Sequence, residues 1–340
     1  MKTIILNKPG QLELIETVLP PRPGLNVVQA RVRRVGICGT DLHAFRGVQP
    51  FFSYPRILGH ELALEVLEIG ASEVEHNLNI GDLCCLRPYL NCGMCGACLR
   101  GYGNCCVRMQ VLGVHLDGGM SEVINIPIDK LHKSAALSEE ELALVEMLSI
   151  GCHAVRRAQV VPGETVMVIG MGPIGLGVAL FAHLAGARVI AADISDARLA
   201  FAARQQGIEH TIDAKLDMLE QVNAILPHDL PTVIFDATGS AQSMMKSLGY
   251  TAHGGRVVFA GLVQGDLTFS DPEFHRRELS LLASRNATAE DFRQVISVLE
   301  AGRVDVRSWI THQVSPEQLV VDFASWLDPK QGVIKAMLHF

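Results

Sequence analysis

The hydrophobic rhythm of the chain changes once, near residue 150. Up to about residue 35, apolar and β-branched residues come in short runs, as in Thr3-Ile4-Ile5-Leu6 and Val27-Val28-Gln29-Ala30-Arg31-Val32, broken by the turn Pro20-Pro21-Arg22-Pro23-Gly24. Runs of this length between Pro and Gly predict antiparallel strands. Short strands and turns continue to about Pro127, with a cysteine-rich excursion among them. From Glu139 the run EEELALVEMLSIGCHAV predicts a helix, after which apolar runs alternate with helical stretches. Those runs are VMVIG (166–170), ARVIAAD (187–193), TVIFDATG (232–239) and GRVVFAGL (255–262), each ending where a loop is needed. Such alternation predicts βαβ units and a parallel sheet, hence an α/β fold with a strand-rich first domain. An amphipathic helix over residues 289–301 precedes mixed structure to Phe340.

A length of 340 residues suits about two domains. A net charge of −7 weighs against nucleic acid or an anionic membrane as partner. No basic-flanked apolar leader begins the chain, and no stretch nears the roughly 18 apolar residues of a spanning helix. Nine cysteines without an export signal point to the cytoplasm, and to metal rather than disulfides.

The cysteines carry the first chemistry. Cys92, Cys95, Cys98 and Cys106 form a C-x2-C-x2-C-x7-C ladder, the spacing of a closed tetrahedral zinc site that stabilises a loop. Cys105, adjacent to Cys106, is an alternative fourth ligand. A second motif, Gly170-Met171-Gly172-Pro173-Ile174-Gly175, lies between a predicted strand and a predicted helix, with Asp193 ending the next strand. In that context the glycines allow a tight turn and the helix start offers N–H groups to a pyrophosphate. Asp193 would accept from ribose hydroxyls and repel a 2′-phosphate, favouring NAD over NADP, while Arg198 just beyond can stack on adenine or pair with a phosphate. A third set comprises Cys38, Thr40, Asp41 and His43 in VGICGTDLH, His60 and Glu61 in LGHE, and Glu146 amid Leu142, Val145, Met147 and Leu148. Mixed sulfur, nitrogen and oxygen donors suit a zinc that keeps a position open for chemistry.

GICGTDLH, the ladder, Glu146 with SIGCHAVRR, and GMGPIG resemble the zinc-containing medium-chain dehydrogenase/reductase family, in its sorbitol and threonine dehydrogenase branch. The longer runs PFFSYPRILGHE, VLGVHLDGG, FSDPEFHRRE and SRNAT resemble bacterial hexonate dehydrogenases. The resemblance implies a GroES-like β-barrel catalytic domain (1–150), a Rossmann domain (151–285) and a segment (286–340) returning to the first. It implies two zincs per chain and NAD. Cys38 and His60 are then catalytic-zinc ligands with Glu61 and Glu146 as the carboxylate pair, and Cys106 rather than Cys105 completes the structural site. Thr40 and His43 become a proton relay. Pro173, Ile174, Asp193, Arg198, Gly239, the loop Ala260-Gly261-Leu262 and the loop Ser284-Arg285-Asn286 become cofactor contacts.

The activity so implied is oxidation of a secondary hydroxyl on a sugar acid, with L-galactonate or L-gulonate at C5 as leading substrates. Arg285 is the first choice for the substrate carboxylate, with Arg46, Arg56 and Arg87 in reserve. A neutral polyol such as sorbitol or galactitol is the alternative substrate, and a silent dinucleotide-binding regulator the alternative class. A homodimer or homotetramer is expected. Four positions depart from the pattern: Leu64 and Ala283 where glycines are common, Met147 where proline follows the glutamate, and Ala44 where an aromatic faces a polyol.

Overall fold

The computed structural model describes residues 1–50 and 52–340; Phe51, within the run PFFSYPRILGHE, lies outside them. The chain divides into two compact units, Met1–Glu146 with Thr288–Phe340, and Met147–Ala287. The division falls inside the helix Glu139–Ala158 rather than in a loop.

In the first unit, a seven-stranded sheet is built around the strand Val27–Ile37, whose buried residues include Val28, Ala30, Val32 and Val35. On one side it pairs antiparallel with Glu61–Ile69, which in turn pairs with Leu83–Leu86 and through it with Leu131–Lys133. Val123–Pro127 also pairs with the first half of Val27–Ile37. The second half pairs with Lys335–His339, so that the end of the chain occupies an interior place in the sheet. Ile310–Val314 then closes on Lys335–His339 as a parallel neighbour. A smaller sheet orders Gln11–Glu16, Lys2–Lys8 and Arg56–Ile57. Residues from both sheets share one apolar core that includes Ile4, Leu6, Val32, Leu62, Leu64, Met120 and Leu338.

The second unit is a six-stranded, all-parallel sheet. Its spatial order is Ile208–Asp213, Arg188–Asp193, Thr165–Ile169, Val233–Asp236, Arg256–Phe259 and Ser280–Ala283, which in chain order reads 3-2-1-4-5-6. That is the order of a dinucleotide-binding doubly wound sheet. The inner strands are almost wholly buried, as strands covered on both faces must be. Glycine permits one close approach here: a Cβ on Gly151 would collide with the backbone of Gly177 in the helix Pro173–Leu184. Two strands were not read from the sequence. Ile208–Asp213 and Ser280–Ala283 are the two edges, and their largely exposed side chains give neither a continuous apolar run nor a clean alternation.

The interior position of the last strand gives a stability test. Leu338→Ala, at a fully buried site, should cost about 2–5 kcal/mol. Val321→Ala, at a site 72% exposed, should stay within about 0.5 kcal/mol. Urea unfolding followed by Trp fluorescence compares the two.

Candidate metal centre and cofactor turn

The strand Val27–Ile37 delivers Cys38 to the start of the helix Gly39–Arg46, and the neighbouring strand Glu61–Ile69 begins with Glu61, directly after His60. Gly36 and Glu61 are paired across the ladder, and a Cβ on Gly36 would overlap the Glu61 carboxylate. Glycine there is what lets the carboxylate lie across the strand. Cys38 Sγ, a His60 ring nitrogen and a Glu61 carboxylate oxygen all lie within 4.8 Å of one another. Thiol, imidazole and carboxylate at that spacing fit zinc.

Asp41, fully buried, steadies this group. Its Oδ2 accepts from the Cys38 backbone N–H at 2.8 Å, and its Oδ1 lies 4.0 Å from His60 Nδ1, a buried nitrogen with no hydrogen-bond partner among the described residues. At that distance the carboxylate makes no hydrogen bond, but its charge faces the imidazole. Burial works against charge on His60, but Cys38, Asp41 and Glu146 together hold its pKa well above the usual range.

Two further residues complete the surroundings, and sequence reasoning missed both. Lys335 Nζ donates to both Glu61 oxygens, at 2.8 and 2.6 Å, and to the Ile37 carbonyl at 3.1 Å, with both side chains 1% exposed. Burial alone would lower the Lys335 pKa; the Glu61 charge raises it instead. Its sequence signal was a single lysine in the apolar run VIKAMLHF. Tyr89 is the other: its buried hydroxyl donates to Glu146 Oε1. Glu146 is itself buried in the helix Glu139–Ala158, and burial raises its pKa to about 7. Among the described residues Glu146 is not within the close Cys38–His60–Glu61 group. Thr40 and His43, three apart on the helix Gly39–Arg46, share a face, Thr40 half-buried and His43 exposed. Burial, and then Arg46, lowers the His43 pKa.

The ladder cysteines lie between two short strands, Tyr89–Leu90 and Gln110–Val111, which pair antiparallel and close the loop at its base. Cys95 Sγ is 3.5 Å from Cys98 Sγ and 3.9 Å from Cys106 Sγ, and all four sulfurs lie within 4.8 Å of one another. Sulfurs at the corners of a tetrahedron around zinc are about 3.8 Å apart, given a Zn–S bond of about 2.3 Å. Backbone N–H groups of Cys92 and Arg108 both point at Cys106 Sγ, each at 3.3 Å. The Met94 backbone N–H helps draw the Cys92 thiol down to about 6, toward the thiolate a metal needs. Cys105 is exposed and outside the group.

In the second unit, the residues singled out for a cofactor all follow the carboxyl ends of parallel strands. Gly170 (φ +95°) turns the chain out of Thr165–Ile169, and a Cβ on Gly175 would strike the Gly170 carbonyl. Gly172 caps the helix Pro173–Leu184, which begins with Pro173 and Ile174. Asp193 is buried and accepts from the backbone N–H groups of Met171 at 2.6 Å and Ser195 at 2.8 Å, so it ties the glycine turn to the next loop. Arg198 is exposed, with its guanidinium 3.9 Å from where a Gly172 Cβ would be. Gly239 and Gly261 are packed together beyond the next strands, Ala260 and Gly261 both donating to the Asp236 carbonyl at 2.9 Å. Leu262 and Arg285 are exposed; Ser284 and Asn286 are half-buried. Of the reserve arginines, Arg56 is engaged by Asp117 at 3.1 Å and Arg87 by Asp129 at 3.7 Å, while Arg46 reaches the Leu327 carbonyl at 3.4 Å.

Elemental analysis of the purified protein should give two zinc equivalents. Cys38→Ala should remove one together with all turnover and leave the fold intact. Cys98→Ala should remove the other and lower the thermal midpoint first, since a closed site holds a loop together.

Comparison with known proteins gives the family. The family of GroES-like alcohol dehydrogenase domains matches residues 24–136, and the zinc-binding dehydrogenase family matches residues 173–301. L-galactonate-5-dehydrogenase of Escherichia coli (strain K12) is 38% identical over 340 residues, covering 100% of this chain and 99% of that protein. Sorbitol dehydrogenase of Bacillus subtilis (strain 168) is 30% identical over 347 residues, covering 100% of this chain and 97% of that protein. Among solved structures, the short chain alcohol dehydrogenase (rspB) from E. coli CFT073, complexed with NADH, is 31% identical with a TM-score of 0.91, covering 100% of this chain and 99% of that one. With both family domains present and relatives matching it from end to end, the chain belongs to the zinc-type alcohol dehydrogenases.

Proposed function

We propose that this dehydrogenase oxidises a secondary hydroxyl of a sugar acid, L-galactonate or a near relative such as L-gulonate at C5, with NAD as acceptor. The observation that carries the chemistry is the Cys38, His60 and Glu61 group, with ligand atoms within 4.8 Å and Glu146 close enough to act on His60 electrostatically. What supports the substrate class is the 38% end-to-end identity with L-galactonate-5-dehydrogenase. The sorbitol dehydrogenase of B. subtilis supports a neutral polyol as second reading.

When bound, zinc would supply Lewis acidity toward the substrate hydroxyl and NAD would supply the hydride acceptor. The chain's own residues do the rest. Cys38, His60 and a carboxylate from Glu61 or Glu146 hold the metal, while Cys92, Cys95, Cys98 and Cys106 hold the second, structural ion. Thr40 relays the hydroxyl proton, accepting it while releasing its own, and His43, exposed on the same helix face, takes up the relayed proton and passes it to solvent. The lowered His43 pKa keeps its ring neutral and able to accept near pH 7. The glycine turn and the start of the helix Pro173–Leu184 receive the pyrophosphate. Asp193 receives the ribose, its oxygens having further lone pairs beyond those used by Met171 and Ser195. The reading includes work in the cytoplasm, since the ladder needs reduced thiols, and assembly as a homodimer or homotetramer. The edge strand Ser280–Ala283, with Leu281 36% exposed, offers a surface for such assembly.

Two tests follow. In a panel of hexonates, hexuronates and polyols with NAD, L-galactonate or L-gulonate should show the highest kcat/KM, read as NADH absorbance. Arg285→Ala should lower kcat/KM for acids by roughly tenfold or more, the value of one charge-assisted hydrogen bond, and spare polyols. A neutral polyol preferred over every acid overturns the substrate reading and leaves the dehydrogenase standing. For the cofactor, NAD should be preferred. Asp193→Ser should narrow that preference by roughly tenfold through lost charge repulsion, and should raise KM for NAD because the tie to Met171 is lost as well. Equal use of NAD and NADP by the unaltered protein would overturn it.

A further inference from the structure

Three of the candidate ligands sit at the ends of the barrel strands. Cys38 follows the strand Val27–Ile37, His60 and Glu61 open the strand paired to it, and Lys335 on the third strand grips Glu61. Glu146 is different. Its backbone belongs to the helix Glu139–Ala158, but its carboxylate is held from elsewhere, by the hydroxyl of Tyr89.

Tyr89 is fixed on three sides. Its backbone pairs with Val111 across the base of the cysteine loop, its ring packs edge-on against the fully buried Phe292 at 6.4 Å and 80°, and its hydroxyl reaches Glu146. Immediately after it the same strand enters the ladder. Asn91 Nδ2 donates to Cys98 Sγ at 3.8 Å, its Oδ1 accepts from the buried Lys130 ammonium at 3.3 Å, and the Cys92 backbone N–H donates to Cys106 Sγ at 3.3 Å. From Tyr89 to Cys92 the chain can span at most about 10 Å. One short segment therefore has at its first residue the hydroxyl that holds Glu146, and at its last a candidate ligand of the closed site. A shift of the sulfurs has little slack to absorb it before the hydroxyl moves.

We infer that Tyr89 is a positioning residue that fixes the Glu146 carboxylate from the four-cysteine loop, so that the state of the closed metal site is transmitted to the carboxylate of the open one. The inference rests on the reading of Cys38, His60 and the two carboxylates as the open site. Groups that orient metal ligands in this way are worth about 10–100-fold in metal affinity. The closed site then has a second role beyond holding its own loop: it keeps one carboxylate of the reacting centre in place.

The test uses the full-length protein loaded with both metals, and Tyr89→Phe, which deletes the hydroxyl and keeps the ring against Phe292. Cobalt(II) is exchanged into the open site, its visible spectrum is recorded, and its release to a chelator is timed. Tyr89→Phe should alter the cobalt spectrum and speed release by about 10–100-fold, with retention of the four-cysteine zinc unchanged. Asn91→Ala, which leaves the Tyr89 hydroxyl in place and removes the contact to Cys98, should shift the same spectrum in the same direction. Added to Tyr89→Phe it should change nothing further. A Tyr89→Phe protein whose spectrum matches the parent and whose release rate is within about twofold of it overturns the tie alone, as does an Asn91→Ala effect that adds fully to that of Tyr89→Phe. A parent protein that takes up no metal at the open site overturns the metal reading, and the tie with it.

Discussion

The structure depends on keeping buried carboxylates company. Asp41, Glu61 and Glu146 are each at most 5% exposed, and they gather around one thiol and one imidazole. An ionised carboxylate stripped of water and left alone is costly enough that it would take up a proton instead. Lys335 answers for Glu61 and Tyr89 for Glu146. Two backbone N–H groups, from Cys38 at 2.8 Å and Gly59 at 3.5 Å, answer for Asp41. A zinc ion held by Cys38, His60 and a carboxylate would add positive charge where the negative groups crowd. Each compensating group comes from a different part of the chain, so the barrel must be complete before the site is.

The Glu61–Lys335 pair shows how strong that demand is. Its partners are 274 residues apart, and the lysine arrives on a strand at the very end of the chain that pairs with Val27–Ile37. A buried ion pair adds little net stability over apolar residues of the same shape, whereas losing one partner is expensive. Its value here is positional. It aligns the last strand, draws Glu61 across Gly36, and leaves Cys38 and His60 to face the same space. The parallel sheet of the other unit solves a simpler problem. Its strands need only alternate with helices and end in turns, and the turns at their carboxyl ends bring the candidate cofactor residues into one row.

How much could be read beforehand follows from the range of each interaction. The four inner strands of the parallel sheet were legible because burial on both faces leaves continuous apolar runs such as VMVIG and VIFD. The edge strands Ile208–Asp213 and Ser280–Ala283 were not, because an edge exposed to water does not demand that pattern. The cysteine ladder and the glycine turn were legible for a related reason: each is complete within about fifteen residues of chain. Cys38, His60, Glu61 and Glu146 could be singled out by type, but only the fold shows which three are close together and that Glu146 is bound by Tyr89.

By itself the sequence determined the α/β architecture, the metal-binding loop and the phosphate-binding turn. Local spacing and hydrophobic period specify these, and both can be read along the chain without knowing where it goes. Tertiary structure alone decided that Lys335 would neutralise Glu61, that Tyr89 would hold Glu146, and that the last strand would lie inside the first sheet. Those are long-range contacts between single residues, and a lone lysine or tyrosine carries no mark of its partner. The partner is set by charge burial and close packing, which exist only once distant strands have met.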